Sequence, residues 1–201
     1  MTARIQRDFE FVSGVYVENE LFMTQFEVEV NFIVDSDSVR EQNVALDRIK
    51  YFFIERLDSS IFINEEDTEN IEKFINADMK IIAIPEEPFD QIIGIMLLVK
   101  LNSITEGRLV ATDIKLTSRM SDGVSYHHSL EESTGPFALK GWWEDSSPNT
   151  SSRVNKNKSK KILKMIKAET CWDELYLSWE PVGKFLQSDV VVVDFEPKAD
   201  K

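Results

Sequence analysis

Between Phe9 and Val34 the chain alternates with period two, and no other stretch restricts the fold as tightly. Phe9, Phe11, Val15, Val17, Phe26, Val28, Val30, Phe32 and Val34 fall on one side of an extended backbone, while Gln25, Glu27, Glu29 and Asn31 fall on the other. Successive side chains of a strand point to opposite faces, so this pattern predicts a long antiparallel hairpin with one apolar and one acidic face, turning at the polar Glu18-Asn19-Glu20. A hairpin of this kind needs a second layer on its apolar side.

Two later segments have the character to supply that layer. Ser38-Val39-Arg40-Glu41 matches a capping box, and Leu46, Ile49, Phe53 and Leu57 recur at helical spacing, so a helix is expected over about Val39–Leu57. Phe89–Thr105 is almost continuously apolar before Gly107, which predicts a well-buried helix. Arg108–Met120 then alternates again, Asp122-Gly123 is a hairpin turn signal, and Val124–Ser129 returns. Between the helices, Ser60–Ile63 and Met79–Ile84 read as short strands, with Asp67 capping a brief helix over Thr68–Asn76. The expected class is therefore α+β: an antiparallel sheet of two hairpins in the order ββα…αββ, with two helices packed on one face.

Beyond Leu130 the texture changes. Residues 1–136 are read as the main domain and 137–201 as a C-terminal extension docking on it. The extension holds a mobile Ser/Asn segment at about 144–157, a basic helix at about 158–168 and one further strand at about 189–195. The formal charge of the chain is −13, yet Arg153, Lys156, Lys158, Lys160, Lys161, Lys164 and Lys167 form a patch with no acid among them. These bases suit phosphates, with Trp142, Trp143 and Trp172 near enough in sequence to stack on nucleic-acid bases; they equally suit the acidic surface of their own or a neighbouring subunit. The overall acidity works against nucleic acid as the partner.

The element order resembles the tunnelling-fold (T-fold) superfamily, which includes 6-pyruvoyl-tetrahydropterin synthase, GTP cyclohydrolase and urate oxidase. Leu57-Asp58 followed by Ile63-Asn64 is also similar to the synthases' Leu-Asp-His…Leu-Asn segment. Over Phe9–Ser129 the resemblance implies a four-stranded sheet carrying two helices, and barrels assembled by edge-to-edge strand pairing. It also implies a purine- or pterin-type ligand at a subunit interface. The catalytic parts depart from the family: the synthases hold zinc with three histidines, whereas this chain has only His127 and His128. The family's ligand-anchoring Glu would fall at Lys115–Thr117, where no Glu stands.

Adjacent strand residues face opposite ways, so His127 and His128 do not converge on one metal, and neither a metal site nor a cofactor is expected. The acidic runs lack a calcium-loop pattern, and the chain contains no Gly-x-Ser-x-Gly elbow, P-loop or Gly-x-Gly-x-x-Gly. Cys171 has no disulfide partner in the chain and is expected as a buried structural thiol of a cytoplasmic protein. No signal peptide is visible, and the apolar run Ile92–Leu101, interrupted by Lys100, is too short to span a membrane.

Trp142, Trp143, His127 and His128 remain as ligand- or partner-binding candidates, the Trp pair reading equally as core. With no catalytic set assembled, the expectation is a non-catalytic protein that forms homo-oligomers through its strand edges. In its small size and acidity it resembles accessory or structural proteins of tailed phages. The alternatives are a T-fold-type enzyme or ligand binder and a nucleic-acid binder acting through residues 153–167.

Overall fold

A computed structural model describes residues 3–150 and 170–180. The basic helix expected at 158–168, the patch from Arg153 to Lys167 and the strand expected at 189–195 lie outside the described residues.

Strands β1 (Ala3–Val17) and β2 (Glu20–Val34) pair antiparallel in unbroken register, from Ala3 opposite Val34 to Val17 opposite Glu20. Glu18 and Asn19 turn the chain with φ of 53° and 66°, the two left-handed residues that a two-residue hairpin turn requires. Helix α1 (Val39–Tyr51) starts at Ser38, whose hydroxyl accepts the Glu41 amide at 3.4 Å. The reciprocal half of the expected capping box is not made. Glu41 instead accepts the Ser36 hydroxyl at 2.6 Å, because Ser36 has already taken the Ser38 amide.

α1 runs into one wider, π-type turn over Phe52–Leu57, closed by the Asp58 amide on the Phe53 carbonyl at 3.0 Å. That turn sinks Phe52, Phe53 and Leu57 into the core together, where Phe53 stacks on Phe9 at 4.2 Å. The Asp58-Ser59 corner then mimics a strand: Asp58 Oδ1 accepts the Val12 amide at 3.0 Å, and the Ser59 amide donates to the Val12 carbonyl at 2.7 Å.

β3 (Ser60–Asn64), α2 (Thr68–Asn76, capped by Asp67), β4 (Lys80–Ile84), α3 (Asp90–Thr105), β5 (Leu109–Ser118) and β6 (Ser125–Ser129) complete the layers. The sheet order is β4-β3-β1-β2-β5-β6. It contains the two expected hairpins, joined by antiparallel pairing of β2 with β5. It is also larger than two hairpins: β3 and β4 add in parallel beyond β1, so the sheet is mixed and six-stranded.

α1 and α3 share one core with Phe11, Val15, Phe26, Val28, Val30, Phe32, Ile114 and Leu116, the alternate positions of the central strands. α2 lies against the other face, where Phe74 meets Tyr16 edge-on at 5.3 Å. Tyr16 follows Val15 in β1 and so points away from the main core.

Beyond β6 the chain returns to that core. Phe137, Trp142, Trp143 and Trp172 are all buried in it.

Candidate functional site on the open sheet face

Strand register places polar side chains in rows across the face opposite α1 and α3. Asp8 pairs with Glu29, Glu29 with Lys115, and Lys115 with His127, so two carboxylates, an ammonium and an imidazole run in one line over four strands. The next row is Glu10, Glu27, Thr117 and Ser125, with the last two hydroxyls 2.7 Å apart. The row on the other side contains Asn31 and Asp113, hydrogen-bonded at 2.6 Å. Directly opposed Cβ atoms sit about 4.5–5.5 Å apart, close enough for opposed charges to share one ligand. Asp8 and His127 are exposed, while Glu29 and Lys115 are half-buried.

This row ends at β6. The Leu130 amide bonds to the Thr112 carbonyl, so by alternation Tyr126 and His128 direct their backbone groups to β5, and Ser125, His127 and Ser129 direct theirs outward. The row begins at a second open edge. Val12 is the outward-facing β1 residue satisfied by Asp58 and Ser59, and β3 pairs with β1 only at Gly14 and Val15. Arg4, Gln6, Asp8 and Glu10 therefore present amides and carbonyls to a side on which no described strand lies.

The other sequence candidates fall elsewhere. His128 points to the helix side of β6, where Nδ1 lies 3.1 Å from Glu132 and Nε2 is buried without a partner among the described residues. His127 and His128 thus occupy opposite faces, and among the described residues no group of three or more His, Cys, Asp or Glu is placed to hold a metal ion. Trp142 and Trp143 are core: Trp142 Nε1 donates to the Ala83 carbonyl at 2.8 Å, and Trp143 Nε1 to the carbonyls of Phe137 and Leu139. Cys171 is exposed, contrary to expectation, because its neighbour Trp172 takes the buried position and spends its Nε1 on the Ser146 carbonyl.

Sequence reasoning gave no structural role to two cations that the fold buries. Lys100, fully buried in α3, donates to the carbonyls of Trp142, Asp145 and Ser147 at 2.8, 2.7 and 2.9 Å. Burial pushes its ammonium down to about 7; Asp145 opposes the shift and Arg56 adds to it. Arg48 of α1 donates to the Leu177 carbonyl at 2.8 Å and the Ile104 carbonyl at 3.1 Å, and its guanidinium lies 3.7 Å from the Trp179 ring centroid. Burial lowers its pKa, and the hydrogen bond to Glu106 offsets part of that. Lys100 spends all three of its protons on main-chain carbonyls, and Arg48 divides its donors between the Leu177 and Ile104 carbonyls and Glu106, so both cations position the chain after β6.

Fold and face together define a mixed α+β protein with an open six-stranded sheet, one face under two helices and the other largely polar. No family model matches the chain, and no curated protein matches it. Among solved structures it is similar to an uncharacterised protein from Wolinella succinogenes, at 14% identity and a TM-score of 0.47, over 65% of this chain and 99% of that one. It is also similar to 6-pyruvoyl tetrahydropterin synthase from Plasmodium vivax, at 10% identity and a TM-score of 0.39 over the same shares. The Plasmodium falciparum synthase aligns at 12% identity and a TM-score of 0.38, over 64% of this chain and 99% of that chain. No helix among the described residues is long and apolar enough to cross a membrane.

Proposed function

We propose that this protein is a non-catalytic, self-assembling component whose copies join by pairing the free half of β1 with the outer edge of β6. The observation that carries the reading is the run from Arg4 to Glu10, in which every second residue offers an amide and a carbonyl to an edge with no described neighbour. Long open edges recruit strands, and in an assembled protein they recruit copies of the same chain. Backbone bonds and apolar burial, rather than exposed charge pairs of at most about 1 kcal/mol, then supply the association. A structural or accessory role of the phage type fits this reading.

Light scattering after size exclusion, at micromolar protein in low and high salt, tests it. Assemblies above the 23.2 kDa chain mass are expected in both salts. Gln6→Pro, which removes one outward amide without touching the β1–β2 ladder, should shrink them. A monodisperse monomer in both salts defeats the proposal.

A second reading is a purine- or pterin-type ligand bound at the same junction. It is favoured by the Asp8–Glu29–Lys115–His127 row, which runs out to the β6 edge, where a second copy's β1 would extend it. Isothermal titration of the assembled protein with a pterin and a purine nucleoside decides this. Binding lost in Lys115→Ala supports it, and no heat with either compound defeats it while leaving the assembly reading intact.

A further inference from the structure

β4 closes the other end of the sheet, and one outward group of its edge is capped by a side chain from beyond β6. The Ile84 carbonyl faces β3, where it accepts the Glu65 amide at 2.7 Å, so by alternation Ile81 and Ala83 direct their backbone groups outward. The strand reads Lys-Ile-Ile-Ala-Ile, short, apolar and with a single charge. An edge of this composition is a template for another strand. The outward Ala83 carbonyl is occupied, however, by the buried Trp142 indole at 2.8 Å.

Trp142 is held there from below. Lys100 takes the main-chain carbonyls of Trp142, Asp145 and Ser147, three acceptors for the three protons of an ammonium. The segment is also tied internally, by the Glu144 amide on the Gly141 carbonyl and by the Asp145 amide on the Trp142 carbonyl. From the other side Trp172 clasps the Ser146 carbonyl. Burying a lysine in the apolar core is costly unless every donor is satisfied, and every acceptor of Lys100 lies in this one segment. A methionine at position 100 would fill the same space but would hold no carbonyl.

We propose that residues 142–147 form a strap, fastened by Lys100, which shuts the β4 edge through Trp142, and that releasing the strap exposes a strand-pairing surface for a second copy of this chain. The strap is independent of the β1–β6 pairing. It acts on β4, at the opposite end of the sheet from β6.

The test compares the full chain with Trp142→Ala, Trp142→Phe and Lys100→Met by light scattering over a concentration series. Circular dichroism serves as the check on folding. Folded variants should show at least a several-fold larger weight-average mass than the wild type at equal concentration, with Trp142→Phe, which loses the donor but keeps a smaller aromatic ring in the buried position, showing the smallest effect. Adding Ala83→Pro should return each variant to the wild-type mass, because it removes the outward amide of β4 and leaves the bonds to β3 alone. Adding Gln6→Pro should not. If Trp142→Ala or Lys100→Met loses the fold, Trp142→Phe carries the comparison. Wild-type mass in a folded variant throughout the series, or excess association that Ala83→Pro fails to reverse, overturns the proposal.

Discussion

Glu106, the left-handed residue that ends α3 at φ 48°, holds Arg48 of α1 at 2.9 Å. The helix terminus is thereby tied to the neighbouring helix, and the same guanidinium reaches on to the Leu177 carbonyl and faces Trp179 and Trp172. Arg40 bonds the carbonyls of Ser178 and Trp179, and Arg108 approaches the same Trp179 ring at 4.4 Å. Three arginines thus fasten residues 177–179 over the ends of α1 and α3.

Replacing Arg48 should therefore do more than delete one ion pair. Arg48→Ala is expected to lower stability by about 3 kcal/mol in urea unfolding, since it strands buried carbonyls and the Trp179 face as well as Glu106. Arg48→Lys should recover little, because an ammonium has neither the planar stacking surface nor the forked donors. Full recovery by Lys would show that charge alone matters at this position.

Two glycines should fail for different reasons. At Gly141 the backbone is extended, with φ −155°, but an added Cβ would fall inside contact distance of the Trp143 ring. Gly141→Ala is expected to cost about 1–3 kcal/mol through displacement of that ring, with a change in near-ultraviolet circular dichroism. At Gly123 there is open space, yet φ is +83°, so Gly123→Ala should cost about 1 kcal/mol with the aromatic signal unchanged. Equal spectral changes in the two variants would contradict this distinction.

Lys100 gives stability a pH dependence of definite sign. Its folded value is about 7 against 10.5 for the free side chain, so between these values the unfolded chain binds a proton that the folded chain does not. Unfolding free energy should rise with pH across that window, by up to about 1.4 kcal/mol per unit from this group, and level off below it. Lys100→Met should remove the slope. A wild-type minus Lys100→Met difference that is flat or falls from pH 7 to 10 would refute the assignment.

Zinc analysis of purified, dialysed protein should find no stoichiometric metal. His127 and His128 point to opposite faces and Cys171 is exposed, so the described residues offer no convergent set of three ligands. Stoichiometric zinc surviving dialysis would revive a metal-dependent reading.

What the sequence made legible follows from where its signals are periodic. Fifteen-residue strands with nine aligned apolar positions between Phe9 and Val34 leave little choice of face, and the hairpin, its turn and its β5–β6 counterpart follow. β3 and β4 have five residues each, too few to show a partner or a direction, so their parallel addition to β1 was not readable. Lys100 registered only as an interruption of an apolar run. Its isolation among apolar residues was the available signal, because a lone charge in a buried helix must find acceptors. Arg48 gave no such signal, since an arginine in an amphipathic helix is ordinarily solvated. The exposure of Cys171 was hidden because the neighbouring Trp172 decides which of the two side chains turns inward.

The pairing of β2 with β5 brings Asn31 opposite Asp113 across everything in between. On a ribosome, β1, β2, α1, β3, α2 and β4 can all emerge and pair while β2 still lacks its second neighbour. The central sheet stays half-built until Ser118 has left the exit tunnel, and the apolar flank of β2 waits through the synthesis of more than eighty residues, counted from Val34 to Ser118. Closing so long a loop is slow, so nascent chains stalled before β5 should be the species that chaperones engage.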